Sequence, residues 1–409
     1  MDEVRVRCGP AGGDGVITRF RSFDRSVQLL LLNQFSINVG FYMLMPYLAS
    51  HLSVTLALAG WAVGLVLGVR NFAQQGMFLI GGTLADRLGY KPLIVAGCAL
   101  RTGGFALLGL VDGVPALVIA SAATGFAGAL FNPAVRAYVA ADAGPRRVEA
   151  FALFNVFYQT GILVGPLVGL ALTAVDFRLT CLVAAFVFLV LTVLQWRSLP
   201  ARAGSPSGDS VLADWRLVLS NRRFVLFALA MTGSYVLSFQ VYLALPLASG
   251  SAVLTAVLFA VSGVLAVAGQ LRVTAWARAR LGPDRSLAAG MAVLGLAFLP
   301  AVLGGWAGLV LCAALLALGT MVVFPFEMDK IVSLSGDRLV ATHYGFYNTV
   351  VGVGILLGNL LTGVGFDAAA RAGVPWVPWL VLTALGLGCA WALKNLAARV
   401  DPVAAGSTN

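Results

Sequence analysis

Twelve long apolar runs, separated by short polar gaps, constrain this chain more than any other feature. They lie at about 27–50, 57–80, 92–111, 115–139, 150–174, 178–196, 224–247, 252–275, 286–304, 306–328, 341–365 and 375–396. A helix needs about 20 apolar residues to span a bilayer. The 409 residues are 60% hydrophobic and 11% charged, against about 25% charged in soluble domains. The expected fold is an all-α membrane protein of twelve spans.

The net charge of +10 does not point to nucleic acid, because the basic residues fall in the gaps. Arg87 and Lys91, Arg146 and Arg147, Arg197 to Arg223, Arg278 to Arg285, and Lys330 with Arg338 occupy the even-numbered gaps. Arg178 and Arg371 alone occupy the odd ones. Arginine and lysine concentrate on the cytoplasmic side, so both termini are expected in the cytoplasm of a multi-pass cell-membrane protein. Five cysteines without CxxC spacing, and two histidines, give no metal cluster. The absence of GxxxxGK[ST], HExxH and GxSxG disfavours an enzyme or ATP-driven machine. No cofactor is expected.

The halves repeat. A constant shift of 193 residues, the interval from Asn155 to Asn348, also carries Arg87-Leu88-Gly89 onto Arg280-Leu281-Gly282 and Gly161-Ile162-Leu163 onto Gly354-Ile355-Leu356. The expected organisation is a tail (1–26), a six-helix half (27–197), a linker (198–223), a second half (224–397) and a second tail (398–409). Within the linker, residues 211–219 read as an amphipathic helix on the membrane surface.

Between the second and third runs stands Gly81-Gly82-Thr83-Leu84-Ala85-Asp86-Arg87-Leu88-Gly89-Tyr90-Lys91. This G-G-x-L-A-D-R-x-G-x-K pattern resembles the signature loop of the major facilitator superfamily of transporters. The resemblance implies two pseudo-symmetric halves that rock about a central site. It also implies that Asp86 faces the N-terminus of the eleventh helix and meets Arg136 of the fourth, forming with Arg87 and Lys91 a latch of one state. The second half swaps the charges. Arg280, with Arg278 and Arg285, would face Glu327 and Asp329 in a mirror latch. Either acid is alternatively a proton-coupling carboxylate.

Gly161, Gly165, Pro166 and Gly169 form G-x-x-x-G-P-x-x-G on the fifth run. Small residues permit close helix packing, and the pattern resembles the antiporter motif of exporters in that superfamily. Residues 68–76 with 101–106 resemble the bacterial multidrug-resistance drug/proton antiporters. Ser121 stands where many of these carry an arginine, and the first run offers Asn33, Gln34, Asn38 and Tyr42 rather than an acid.

Arg70 and Arg101 lie inside apolar runs, where a charge is paired or functional. Candidate substrate-binding residues are Asn38, Tyr42, Arg70, Gln74, Asn155, Tyr158, Tyr235 and Asn348. The leading expectation is a monomeric proton-coupled exporter of small amphipathic molecules. The alternatives are a facilitator or symporter of an anionic metabolite, favoured by the arginines, and a transporter-like sensor or scaffold.

Overall fold

The computed structural model describes residues 16–58, 60–204, 210–249 and 252–398. The first and second tails therefore lie mostly outside the described residues, although Val16–Arg21 forms a short helix.

Among the described residues twelve helical passages follow one another, besides the short helices Val16–Arg21 and Val211–Ser220. α1 is Arg25–Tyr42 continued by Met45–Ser50, and α2 is Gly60–Gln75 continued by Phe78–Leu88. α3 is Tyr90–Leu110, α4 Val114–Ala143, α5 Arg147–Thr173 and α6 Phe177–Ser198. α7 is Arg222–Ser238 continued by Ala244–Ser249, and α8 is Ala252–Arg280. α9 is Pro283–Leu296 continued by Leu299–Val302. α10 is Gly305–Ser335, α11 Val340–Arg371 and α12 Val377–Ala398. Nine described stretches are long and apolar enough to cross a membrane by length and composition, and one of these, Val114–Thr173, comprises α4 and α5.

The packing repeats with the sequence. α3 packs on α4 and α6, α2 on α4, and α1 on α5; α9 packs on α10 and α12, α8 on α10, and α7 on α11. Each pair in the second set is the first advanced by six helices. Across the two halves, α2 meets α11 and α5 meets α8. The structure is thus an all-α bundle of two pseudo-symmetric six-helix halves.

Several helices outrun their apolar cores. α2 stays helical through Leu88, and the turn falls on Gly89, whose φ of 93° suits glycine. α4 continues to Ala143, seven residues past Arg136. α10 continues to Ser335, eight past Glu327. At 1.5 Å per residue, Arg136 and Glu327 sit about 10–12 Å inside their helix ends. The apolar runs end at about 139 and 328, so in the sequence both residues stand at helix ends; the helices continue through Asp142 and through Asp329 and Lys330. Glu327 is 2% exposed.

The linker does form a helix, Val211–Ser220, but it docks on protein. Asp214 and Val218 are fully buried, Asp214 binds Arg87 at 2.6 Å, and Trp215 Nε1 donates to Thr83 Oγ1 at 2.8 Å.

Candidate functional site

The halves touch first at the end of the bundle where the arginines gather. Gly82 lets α2 approach the start of α11 so closely that a Cβ would strike the Ala341 carbonyl. Asp86, fully buried, is thereby aimed at the first turn of α11. It accepts from Ala341 N at 3.2 Å, Thr342 N at 2.6 Å and Thr342 Oγ1 at 2.7 Å. Tyr90 of its own half donates at 3.3 Å. A helix N-terminus presents unpaired N–H groups and the positive end of the dipole, and a carboxylate satisfies both.

Arg136 does not complete this contact. Held inside α4, it donates through Nη1 to Asn348 Oδ1 of α11 at 2.8 Å. The anticipated Asp86–Arg136 pair is thus replaced by two separate bridges onto α11. Arg87 turns to Asp214 of the linker, and no hydrogen bond or ion pair is described for Lys91.

The mirror contact also changes partner. Asp329 pairs with Arg147 at the start of α5, at 3.1 Å, rather than with Arg280. Arg147 also reaches Asp337 at 3.1 Å. Arg278 acts on Asp329 at longer range. The physical reason is packing: α5 enters between α8 and α10, so its first residue stands nearer the acid. Arg147 had registered only as one of the gap's positive charges.

Farther in, Asn155 Nδ2 donates to Gln270 Oε1 of α8 at 2.6 Å. Gln270 in turn donates to Thr274 Oγ1 and to the Met321 carbonyl, both at 2.9 Å. The symmetric asparagines therefore share a role: Asn155 and Asn348 each join one half to the other. Farther along α5, Leu163 lies against Gly263 of α8, where an added Cβ would stand 3.7 Å from it. Beyond it Leu167 and Leu170 are 66% and 60% exposed, and Leu360 and Leu361 of α11 are 61% and 71% exposed.

A cluster of tyrosines, termed the tyrosine chamber, lies at this depth. Tyr347 donates to Glu327 Oε1, and its ring meets Tyr235 edge-on at 6.1 Å. Tyr235 lies against Glu327 and within Coulombic reach of Arg136 and Tyr158. Tyr42 neighbours Tyr158, Tyr242 and Arg70. Asn38 Nδ2 donates to the Tyr158 carbonyl at 3.1 Å. The series Arg70, Tyr42, Tyr158, Arg136, Tyr235, Glu327 and Tyr347 is continuous and draws on α1, α2, α4, α5, α7, α10 and α11. Two of its buried polar atoms lack a hydrogen-bond partner: Arg70 Nε and Arg136 Nε.

The two arginines inside the apolar runs differ. Arg101 is held by the protein, donating to the Thr124 carbonyl at 3.0 and 3.3 Å. It also lies over the rings of Phe41, Phe131 and Phe188 at 5.2, 4.8 and 5.4 Å. Arg70 lies over Phe41 at 5.0 Å and donates to the neighbouring Asn71 at 2.5 Å. Gln74 packs beside Arg101 at Gly128. The Gly161, Gly165 and Gly169 face packs α5 on Asn38, Tyr42 and Met43 of α1, and the Pro166 carbonyl accepts from Tyr47 at 2.7 Å.

His343, at the entry of α11, is buried against Phe224 at 4.7 Å with Nδ1 on the Leu339 carbonyl. Among the described residues no cluster of His, Cys, Asp and Glu could hold a metal.

The Major Facilitator Superfamily profile matches residues 30–359. The chain is 54% identical over 408 residues to an uncharacterized MFS-type transporter of Mycobacterium tuberculosis (strain ATCC 25618 / H37Rv), covering 95% of this chain and 96% of that one. It is 30% identical over 365 residues to multidrug resistance protein MdtH of Salmonella arizonae, covering 87% and 90%. Among solved structures it resembles the transporter FucP in the outward conformation, with TM-score 0.74 at 17% identity, covering 92% and 99%. It also resembles the human organic anion transporter MFSD10, with TM-score 0.70 at 15% identity, covering 90% and 99%. Signature motif, repeated packing and these matches agree: the chain is a multi-pass membrane transporter of small molecules belonging to the Major Facilitator Superfamily.

Proposed function

We propose that this transporter is a monomeric secondary-active exporter of small amphipathic organic molecules in the cell membrane, driven by inward proton flow. Its gap arginines argue for cytoplasmic termini. On that orientation the joined end is cytoplasmic and the conformation faces outward. Asp86 on α11, and Arg147 on Asp329, then act as latches of the outward-facing state. Their release would let the halves rock about the tyrosine chamber. The similarity to MdtH supports drug or natural-product efflux as the class of transport.

The observation that carries the proton reading is Glu327. Of the three acids buried among the described residues, Asp86, Asp214 and Glu327, Glu327 alone borders the chamber. Tyr347, Tyr235 and Arg136 face it. A carboxylate there can hold a proton or the positive or donor group of a substrate, but not both, and such competition is what antiport requires. Asp329, paired and partly solvated, fits a latch better. The test is Glu327→Gln in proteoliposomes. Substrate exchange without a gradient is expected to survive and pH-driven transport to vanish. Undiminished pH-driven transport would dismiss Glu327.

One observation favours a second reading. Arg70 and Arg136 each keep an unbonded Nε at the chamber, which suits an anionic substrate. Protonating Glu327 would then free Arg136 for the anion, so proton and anion would travel together as a symport. Substrate charge and the direction of proton movement separate the two.

A further inference from the structure

One face of α8 is turned away from the protein. Leu265, Ala268, Arg272, Trp276 and Ala279 form an exposed stripe at helical spacing. The opposite face, with Gln270, Thr274 and Ala277, is buried. The stripe belongs to the apolar span Val257–Arg280, so it faces lipid. Arg272 stands eight residues from the arginine-rich end of that span, about 12 Å along the helix.

A guanidinium on a lipid-facing surface at that depth needs a partner or a route to the interface. None of the described ion pairs uses Arg272. Beside it opens a cavity of about 430 Å³ between α8, α9 and α10. Its wall is apolar, made by Gly290, Val293, Leu318 and Val322, and its rim carries Arg272 and Trp276. Gly290 brings α9 against the Val322 and Val323 side chains of α10. The groove runs inward from the α8–α9 turn at Leu281. Around that turn Arg278, Arg280 and Arg285 are exposed and make none of the described ion pairs.

We infer that this groove binds one anionic phospholipid of the leaflet at the arginine-rich end. One acyl chain lies along Gly290, Val293, Leu318 and Val322. The phosphate meets Arg272, which extends toward the interface alongside Trp276, a residue suited to that level. Any phospholipid offers a phosphate. The three further arginines select a headgroup of net negative charge, as basic pockets between membrane helices do. The site is separate from the tyrosine chamber and stands whatever the transported molecule is.

The test uses the purified full-length chain in detergent, titrated with phosphatidylglycerol or phosphatidylcholine of identical acyl chains. Retained lipid is read by native mass spectrometry and stability by the melting temperature. The wild type is expected to hold phosphatidylglycerol preferentially and to be stabilised by it. Arg272→Gln should weaken retention of both lipids about fivefold, the worth of one basic residue at the surface, because both offer the phosphate that Arg272 meets. Arg272→Lys should restore most of the retention, and the preference for phosphatidylglycerol should persist in both variants because Arg278, Arg280 and Arg285 remain. Leu318→Trp, which fills the groove without touching charge, should reduce retention of both lipids. Equal retention of the two lipids by the wild type would overturn the proposal. So would unaltered binding in Arg272→Gln or in Leu318→Trp. Should Arg272→Gln fail to fold, the wild-type comparison and Leu318→Trp still decide.

Discussion

Asp86→Asn removes one charge from a buried contact without changing its shape. In the wild type, three bonds cross from α11 to the carboxylate, two from backbone N–H groups and one from the Thr342 hydroxyl. A hydrogen bond to a charged group contributes about 1.5–3 kcal/mol, and a charge at a helix N-terminus about 0.3–1, rising to about 2 when partly buried. Asparagine keeps one accepting oxygen. It turns an NH₂ group toward N–H donors, so at least one bond is lost together with the dipole interaction. The loss is about 3 kcal/mol, and it falls on the conformation closed at this end, because the bonds cross between halves. The opening equilibrium should therefore shift about a hundredfold, at 1.36 kcal/mol per factor of ten.

Spin labels at exposed Leu88 in the first half and exposed Arg338 in the second report this opening as a distance distribution by electron–electron resonance. In the wild type a single short population is expected, and in Asp86→Asn a second, longer one. An unchanged distribution in a folded variant would refute the assignment of these bonds to the closure between halves.

Gly82→Ala should act in the same direction for a steric reason, since its Cβ would meet backbone of Ala341 and Thr342, and the same label pair would report it. Arg136→Ala should weaken the closed state through Asn348 rather than through Asp86. Combined with Asp86→Asn, the effects on the opening equilibrium should add to within about 0.5 kcal/mol; a larger coupling energy would mean that Arg136 and Asp86 interact directly. Asp214→Ala leaves Arg87 without its carboxylate. Because Arg87 is partly exposed, a loss of about 1–3 kcal/mol is expected. It is read as a lowered melting temperature, and no shift would sink the role of the linker helix as a clasp on α2.

The length of the apolar runs and the internal repeat carried the fold, because bilayer burial leaves its record in every apolar run. The signature residues carried part of the site for a similar reason. Gly82 and Asp86 sit where backbone contact demands a glycine and a helix N-terminus demands an anion. What was not legible was partnership. Arg136 and Glu327 looked terminal because the apolar runs end at about 139 and 328, next to Asp142 and to Asp329 with Lys330, whereas α4 and α10 continue helical through those charges. Arg147 stood in the sequence as one of many gap arginines, and only the approach of α5 to α10 marks it as the partner of Asp329. Asp214 gave a signal that could have been used, as an acid within a basic linker. The bridging role of Asn155 depends on Gln270, whose position opposite it follows from helix rotation across the two halves and not from spacing along the chain. Tyr347 was one aromatic among many until Glu327 was found beside it.

The central proposal, proton-coupled export of amphipathic molecules through the tyrosine chamber, is tested most directly with purified protein in liposomes. The liposomes carry an imposed pH gradient and a trapped pH dye, and cationic, neutral and anionic organic compounds are added in turn. The expected result is collapse of the gradient on adding a lipophilic cation or neutral drug, absent in empty liposomes and in Glu327→Gln. Uptake of an anion down its own gradient without opposing proton movement would contradict antiport and make Arg70 and Arg136 the centre of the site.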